Sequence, residues 1–304
     1  MQIVDQPSAA SEVVLPSPSV AVIEPRRFSA DLFARIKRPV EQPNWPAGWK
    51  GSFRDDAHSV WPGRSELGYR RAFYYRVKRA LDAVLRHAAP GSRVLDVGAA
   101  QGNVSIMLAE LGYRVTWNDH RDDLVDYVRL KTDRTDIDFL PGDLLKLPPE
   151  RVGRFEAIVA TQIIEHVAHP DAFLRRLATL LMPGGVIVLA TPNGAYLRNT
   201  LPRLSDCPEP SADQSMRSTP DPDGHVFLLH PDEWVVFSAK AELRLVELEQ
   251  FINPLSSGHL WTTKLLPLLP GWLVDGLERL TGRLGPRWRS RVHLHTLAVL
   301  KALD

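Results

Sequence analysis

The sequence has little cysteine, no long apolar run and almost no net charge. Its 304 residues include one cysteine, Cys207, so an intramolecular disulfide and a zinc site built from several thiolates are both excluded. Lys and Arg number 37 against 36 Asp and Glu, a net charge of +1, so no overall field favours binding to DNA. Because no apolar segment has the length of a signal-peptide core or of a transmembrane helix, we expect a cytoplasmic protein.

The chain divides into a Pro- and Ser-rich beginning and a longer globular region. Residues 1–46 lack a periodic apolar pattern, and we expect a mobile tail because such a segment buries too little apolar surface to offset its ordering entropy. Residues 47–304 form the predicted domain. Within it, residues 194–223 hold many Pro, Ser and Asp, which is typical of a lid loop, and residues 254–291 have the pattern of an amphipathic helical insertion.

Strand and helix patterns alternate through the middle of this domain. Apolar runs such as Arg93–Val97 and Phe155–Thr161 predict buried strands, and periodic segments such as 103–111 and 170–181 predict helices between them. Alternation of this kind is typical of an α/β fold, in which helices cover both faces of a mostly parallel sheet. Open sheets of this class bind their ligands at the carboxyl ends of the strands.

A glycine-rich turn follows the first of these strands. Glycine permits the backbone conformations of such a turn and the close approach of a ligand. The dinucleotide-binding fingerprint requires glycine at the first, third and sixth positions of the turn. Those positions hold Gly98, Ala100 and Asn103, so only the first matches. What distinguishes this turn is the acid Asp96, two residues before the first glycine, and Gly102 at the fifth position.

Two further acids follow the next two predicted strands. Asp119 ends the second strand, where a carboxylate can accept both hydroxyl groups of a ribose. Asp143 ends the third strand, where it can accept an adenine amino group while the backbone of Leu144 meets the ring. Each acid alone fits a helix cap or a solvated strand end equally well. Together with Asp96 they place acids at three successive strand ends, which indicates a nucleoside site.

These motifs, with the segment 182–185, resemble the ordered motif series of class I S-adenosylmethionine (SAM)-dependent methyltransferases over about residues 68–252 and the closing strand. The resemblance implies a Rossmann-like seven-stranded sheet with an antiparallel last strand, and SAM as the cofactor. Ala100 replaces the middle glycine that is common in the family. The residues that the resemblance assigns to the cofactor are Asp96, Gly98, Ala100, Gly102, Asp119, Asp143, Leu144 and Gln162.

Two further segments supply the candidate catalytic groups. Residues 162–166 are similar to the Glu-x-x-Glu-His segment of ubiquinone-pathway O-methyltransferases and of small-RNA terminal ribose methyltransferases, in which these side chains bind magnesium or a similar cation. Gln162 replaces the first Glu, and hard cations prefer anionic oxygens, so we predict no metal and keep metal binding as the alternative. The second segment, residues 224–233, is similar to a Gly-His-x-x-x-(Phe/Tyr)-(Ser/Thr)-Pro-x-Glu segment that is common in this methyltransferase group, and it contains His225. The two resemblances together imply Glu165, His166 and His225 as catalytic candidates. For His225, a structural hydrogen bond to the lid is an equal alternative.

The favoured function is therefore O-methylation of a small molecule such as a sugar, a phenol or a lipid-linked intermediate. RNA ribose methylation is an alternative that Gln162, the near-neutral charge and the lack of a recognisable RNA-binding module disfavour. A SAM-binding regulatory protein without acceptor chemistry is a third, and an NAD-dependent oxidoreductase a distant fourth. Residues 260–291 combine Leu and Trp with Arg, so they either cover the pocket, join two copies or contact an anionic membrane surface peripherally; cover and dimer are favoured.

Overall fold

The computed structural model describes residues 27–61, 67–208, 224–259 and 262–303. Within these residues, seven strands form one sheet: β1 (Arg93–Val97), β2 (Arg114–Asn118), β3 (Ile137–Phe139), β4 (Phe155–Thr161), β5 (Leu181–Pro192), β6 (Leu243–Phe251) and β7 (His295–Ala302). Their spatial order is β3-β2-β1-β4-β5-β7-β6, with parallel pairs from β3 to β5 and β7 antiparallel to both β5 and β6. The predicted seven-stranded, mostly parallel sheet with an antiparallel last strand is confirmed.

Helices cover both faces of the sheet. Successive side chains of a strand point to opposite faces of the sheet. Val94 therefore packs against the first layer of helices, and Leu95 packs against the second. The first layer consists of α1 (Asp31–Ala34), α2 (Ala47–Ser59), α3 (Leu67–His87), α4 (Asn103–Glu110) and α5 (Leu124–Leu130). The second consists of α6 (Pro149–Val152), α7 (Pro170–Thr179) and α8 (Glu233–Ala239).

Residues 27–46 differ from the mobile tail that the composition predicts. Ile36 is buried, and the indole of Trp61 donates a hydrogen bond to its carbonyl at 3.1 Å. The ring of Phe33 stacks on Tyr74 of α3, with centroids 5.8 Å apart. A few aromatic contacts thus bury enough apolar surface to order this segment, although its Pro-rich composition does not indicate it. Residues 1–26, the rest of the predicted tail, lie outside the described residues.

A buried polar network joins α2 to α4 and to the end of α5. The Lys131 ammonium donates to Asp56 Oδ2 at 2.7 Å and to Asn103 Oδ1 at 2.6 Å. Asp56 also accepts from Asn103 Nδ2 at 2.6 Å and from the Tyr127 hydroxyl at 2.8 Å. Burial lowers the pKa of Lys131, and the adjacent Asp56 carboxylate opposes that shift. Because Asn103 is the first residue of α4, the network fixes the helix that follows Gly102.

A long connection between β6 and β7 lies at the edge where β1, β2 and β4 end. It contains α9 (Gly271–Gly282) and α10 (Pro286–Val292). The buried Glu278 carboxylate of α9 accepts from the backbone N–H groups of Ile252 at 2.6 Å and Asn253 at 3.1 Å, where Ile252 takes a φ of +63°. Glu278 therefore fastens α9 to the end of β6. No helix among the described residues is long and apolar enough to cross a membrane.

Replacing Lys131 by Ala leaves the Asp56 carboxylate buried without its cation, so we expect the free energy of unfolding to fall by about 3–5 kcal/mol. Urea unfolding followed by tryptophan fluorescence measures this loss. The double variant Asp56→Leu/Lys131→Met removes both charges and should recover most of it. As a control, Lys37→Ala breaks the exposed Lys37–Asp133 pair and should cost less than about 1 kcal/mol. Equal losses in the single and double Lys131 variants would contradict the prediction.

Candidate functional site

The turn between β1 and α4 has a left-handed backbone at three of its residues. The φ angles are +63° at Gly98, +43° at Ala100 and +69° at Gly102. A Cβ on Gly98 would lie 2.2 Å from the side chain of Ile163, and one on Gly102 would lie 2.8 Å from Val128. Glycine is thus required at the first and fifth positions for both conformation and space. Ala100 accepts a strained conformation that costs of the order of 1 kcal/mol.

The carboxylate of Asp119 meets this turn from the end of β2. Its Oδ2 accepts from the backbone N–H of Ala100 at 2.8 Å, and its Oδ1 accepts from that of Arg121 at 2.9 Å. The side chain is buried. Oδ1 also lies 3.3 Å from His120 Nδ1. Each carboxylate oxygen has two lone pairs, so Oδ2 keeps one for a further donor such as a ribose hydroxyl. The structure therefore brings together Ala100 and Asp119, two residues that are each predicted to bind the cofactor.

Asp96 lies beneath the turn, turned toward α4. Its side chain is buried and accepts from the Ser105 hydroxyl at 2.6 Å. Burial raises the pKa of Asp96 to about 7, the Ser105 hydrogen bond opposes that shift, and the Asp119 charge adds to it. In the geometry observed here, Asp96 ties β1 to α4. A contact between Asp96 and the cofactor remains a prediction.

The ends of β2 and β3 are joined by a hydrogen bond at Gly142, the residue before Asp143. The backbone N–H of Gly142 donates to the carbonyl of Asp119 at 2.8 Å, and Asp143 Oδ1 accepts from the backbone N–H of Leu145 at 3.0 Å. The Asp143 side chain remains partly exposed, whereas the side chain of Leu144 is buried in the core under the second helical layer. The predicted adenine-binding residues thus lie beside the predicted ribose-binding residue.

Gln162 forms an interaction that the sequence did not indicate. It takes a φ of +58°, and its Oε1 accepts from the Arg76 guanidinium of α3 at 3.1 Å. Its Nε2 donates to the carbonyl of Ala190 at 3.1 Å. Arg76 is therefore brought to the end of β4, beside the candidate catalytic segment. The sequence offered no specific signal for Arg76, which is one of several cations spaced along α3.

Glu165 lies in a short 3-10 helix (Ile164–His166) directly after β4. Its carboxyl is fully buried, and Oε2 accepts from the Thr191 hydroxyl at 2.9 Å. The other oxygen, Oε1, has no hydrogen-bond partner among the described residues. Burial raises the pKa of Glu165 to about 7, against the opposing effects of hydrogen bonding and of Arg76. A buried carboxyl with a free oxygen is suited to meeting a ligand.

His166 and His225 lie next to this carboxyl. Their ring centroids are 4.9 Å apart, and His166 Nδ1 is 3.2 Å from the carbonyl oxygen of Gly224. The backbone N–H of Val226 donates to the carbonyl of Glu165 at 2.8 Å, which holds the segment after the predicted lid against the 3-10 helix. All three predicted catalytic residues therefore meet in one cluster, although residues 209–223 of the predicted lid lie outside the described part of the chain.

The cluster has the spacing of a metal site. One ligand atom each from Glu165, His166 and His225 lies within 4.8 Å of the other two. Two imidazole nitrogens and one carboxylate fit a divalent transition ion better than magnesium, which prefers oxygen ligands. Gln162, at the position of the missing Glu, is hydrogen-bonded to Arg76 instead. The donor set thus fits a metal, the alternative that the sequence disfavoured.

His295 and Tyr196 are two further polar residues that sequence analysis missed. His295 pairs with Pro192 at the end of β5, and burial holds the pKa of its imidazole well below the usual range, with smaller effects of Arg76 and His225. Its Nδ1 and the Tyr196 hydroxyl are buried and have no hydrogen-bond partner within the described chain. His295 sits in a strand pattern and Tyr196 in a loop, so neither carried a motif.

Sequence comparison identifies relatives over part of the chain. A family profile described as a methyltransferase domain matches residues 69–248. The ubiquinone biosynthesis O-methyltransferase of Xanthomonas campestris is 39% identical over 110 residues, which cover 36% of this chain and 46% of that protein. The enzyme of the same name from Xanthomonas axonopodis is 38% identical over 105 residues, covering 34% of this chain and 44% of that protein. The chain thus spans less than half the length of these curated relatives.

Among solved structures, the chain is similar to that of the cyclase SpnF. The TM-score is 0.51 at 16% identity, over 81% of this chain and 86% of that chain. Identity this low shows a shared fold alone. Since that neighbour is named as a cyclase, the reaction has to be argued from the side chains of the site.

The raised pKa of Asp96 predicts a pH dependence of stability. The folded protein keeps a proton on Asp96 that the unfolded chain loses above about pH 4, so this group lowers the free energy of unfolding as the pH rises toward about 7. In Asp96→Asn this group no longer titrates, so the free energy of unfolding should change with pH by up to a few kcal/mol less over that window than it does in the parent. Urea titrations across the window measure it.

Ser105→Ala is the matched variant for this test. It removes the hydrogen bond that favours the Asp96 carboxylate, so the pKa of Asp96 should rise further and the loss of stability should extend to higher pH. An Asp96→Asn protein with the pH dependence of the parent would contradict the assignment.

Proposed function

Because this chain belongs to the methyltransferase domain family, we propose that it transfers a methyl group from SAM to a hydroxyl group of a small molecule. The observation that carries the proposal is the closeness of the glycine-rich turn between β1 and α4, the cofactor turn of Gly98–Gly102, to the candidate catalytic cluster. The side chain of Ile163 fills the space over Gly98, and Glu165 and His166 follow within three residues. The relatives named as O-methyltransferases support oxygen as the acceptor atom.

In this proposal the cofactor lies along the carboxyl ends of β1, β2 and β3. The Asp119 carboxylate accepts from the ribose hydroxyls, and the exposed part of Asp143 accepts from the adenine amino group while the Leu144 backbone meets the ring. Gly98 and Gly102 let the backbone approach the amino-acid end of the cofactor. Gln162 has both polar ends of its amide engaged, so it closes this end of the site by its position.

The proposed chemistry is an in-line displacement in which the chain aligns the acceptor and removes one proton. His225 accepts the proton of the acceptor hydroxyl as the acceptor oxygen bonds to the methyl group, the methyl–sulfur bond breaks and S-adenosylhomocysteine leaves; His166 is the alternative base. Glu165 lies beside both rings and favours the imidazolium that results. The burial of Glu165 and Thr191 keeps water from this side of the site.

A metal-assisted form of the same reaction is the second candidate, favoured by the spacing of Glu165, His166 and His225. These three residues would hold a divalent transition ion. When bound, such an ion would polarise the acceptor oxygen as a Lewis acid. The two histidines would then serve as ligands, and the proton would pass to another base.

Asp119→Asn tests the cofactor site. The amide oxygen of Asn can still accept from the backbone N–H of Ala100, but the negative charge and the second acceptor oxygen of the carboxylate are lost. We expect the dissociation constant of S-adenosylhomocysteine to rise about tenfold or more, as hydrogen bonds to a charged group are worth about 1.5–3 kcal/mol. Isothermal titration calorimetry measures this change. Asp122→Ala, an exposed acid three residues away, should leave the affinity unchanged. Unchanged affinity in Asp119→Asn would remove the assignment.

Alanine variants of His225 and His166 test the chemistry. We expect the variant that lacks the base to lose about 10²–10⁴ in kcat while it keeps its affinity for S-adenosylhomocysteine. The measurement is methyl transfer from labelled SAM to phenol and sugar acceptors or to a small-molecule extract. His87→Ala, which removes an imidazole that contacts Glu247 of β6 instead of the candidate cluster, is the control. Near-normal turnover in both site variants would overturn the proposed base.

Chelation separates the two forms of the reaction. Turnover that falls after chelation and returns with Mn²⁺ or Zn²⁺ would favour the metal-assisted form. Turnover that chelation leaves unchanged would favour the histidine base alone. Binding of SAM without labelling of any acceptor would instead favour the regulatory alternative.

A further inference from the structure

The connection between β6 and β7 exposes a patch of large apolar side chains. We propose that this patch, together with the arginines beside it, docks on an anionic lipid surface. The apolar residues of the docking face are Leu265, Leu268, Trp272, Leu280, Leu284 and Trp288. Single exposed leucines are ordinary on a protein surface, but six large apolar residues within 24 positions of one connection form a patch that calls for a partner.

The docking face is the outer side of a segment whose inner side is already packed. Leu266 and Val274 are buried, and Glu278 is bonded to the backbone after β6. On the opposite side, Trp272 is 71% exposed and Trp288 is 66% exposed. The segment is therefore folded onto the domain through this inner side, and its exposed indoles do not result from poor packing.

The charge of the docking face is positive. Arg279, Arg283 and Arg287 are exposed, and none of them forms an ion pair with a described carboxylate. The acids of α9 are engaged elsewhere: Asp275 accepts from Tyr75 of α3 at 2.6 Å, and Glu278 is buried. Arginine and tryptophan side chains on an amphipathic helix suit the interface of an anionic bilayer, where aliphatic side chains enter the acyl region.

A second copy of the chain fits this face less well. A twofold interface is self-complementary, so residues of one copy must suit the same residues of the other. The docking face would bring arginines against arginines, because its two α9 acids are already used. A nucleic acid would match the charge but would leave Leu268, the most exposed of the six apolar residues, without an apolar partner.

The docking face is coupled to the acceptor side of the site. Asn193 Nδ2 donates to the carbonyls of Ser290 at 2.5 Å and His293 at 2.8 Å, which fastens the end of α10 to the loop after β5. Two residues earlier, Thr191 donates to Glu165. The helix that carries Trp288 of the docking face is therefore linked through Asn193 to the segment that contacts Glu165. Any consequence for a lipophilic acceptor rests on the proposed function, whereas lipid binding itself does not.

Co-sedimentation with vesicles tests the proposal on the full chain. We expect the protein to pellet with vesicles of equal parts phosphatidylcholine and phosphatidylglycerol, to stay in solution with phosphatidylcholine alone, and to be released by high salt. Arg279→Glu/Arg283→Glu should lower the partition coefficient about tenfold or more. Trp272→Ala/Trp288→Ala should weaken binding in the same direction.

Two matched controls lie outside the docking face. Arg175→Glu reverses an exposed arginine on α7, and Val235→Ala removes an exposed apolar side chain on α8, so neither should change the partition coefficient. Calorimetry with S-adenosylhomocysteine on every variant shows that the fold and the cofactor site persist. Vesicle binding by a chain that fails to bind the cofactor would overturn the proposed function and leave the docking face in place.

Four outcomes would overturn the docking proposal. The protein could stay in solution with anionic vesicles, or bind neutral vesicles equally well. Charge reversal of the two arginines could leave the partition coefficient unchanged. Finally, sedimentation equilibrium could show a dimer, or a gel-shift assay a complex with transfer RNA, that the docking-face variants disrupt while vesicles bind neither parent nor variant.

Discussion

The buried ion pair between Asp56 and Lys131 holds together the part of the molecule on which the cofactor turn depends. Asn103 bonds to both members of the pair and begins α4 directly after Gly102. The position of α4 in turn sets where the N–H of Ala100 points, and it points to Asp119. Buried charges of this kind are tolerated because each has several partners. The extension before α3, which lies outside the family match, thus takes part in shaping the site.

Parallel strands that end at one edge place acids from distant parts of the chain near one another, and the hydrogen-bond partners of each acid then distinguish it from the others. Asp96 and Glu165 are shut away from water, which raises the pKa of each to about 7. The Asp119 carboxylate instead accepts hydrogen bonds from two backbone N–H groups, those of Ala100 and Arg121. In the proposed reaction the positive charge of the sulfonium is dispersed as the methyl group moves, and a site with little solvent favours that dispersal.

The sheet and the glycine-rich turn could be predicted because each depends on local sequence patterns, and the family resemblance supplied the candidate catalytic residues, whose role stays a prediction. Strands and helices have their own periodicities, and Gly98 and Gly102 are dictated by conformation and space within a few residues. The rest depends on contacts between distant segments. Nothing local marks Arg76 as the partner of Gln162, 86 residues later in the chain, or turns Asp96 toward Ser105. Residues 27–46 likewise pack on the domain through aromatic contacts that their amino-acid composition does not indicate.

The β6–β7 connection shows why an amphipathic pattern leaves a function open until the structure is known. An amphipathic pattern indicates that one face of a helix is apolar, but it does not indicate whether that face packs on the domain or is exposed to a partner. Glu278 resolves this, because its bonds to the backbone after β6 fix the rotation of α9 about its own axis. With that rotation fixed, Val274 faces inward and Trp272 outward, so the same helix both covers the domain and presents a second surface. The interpretations as cover and as docking surface are therefore compatible, since they concern opposite sides of one element.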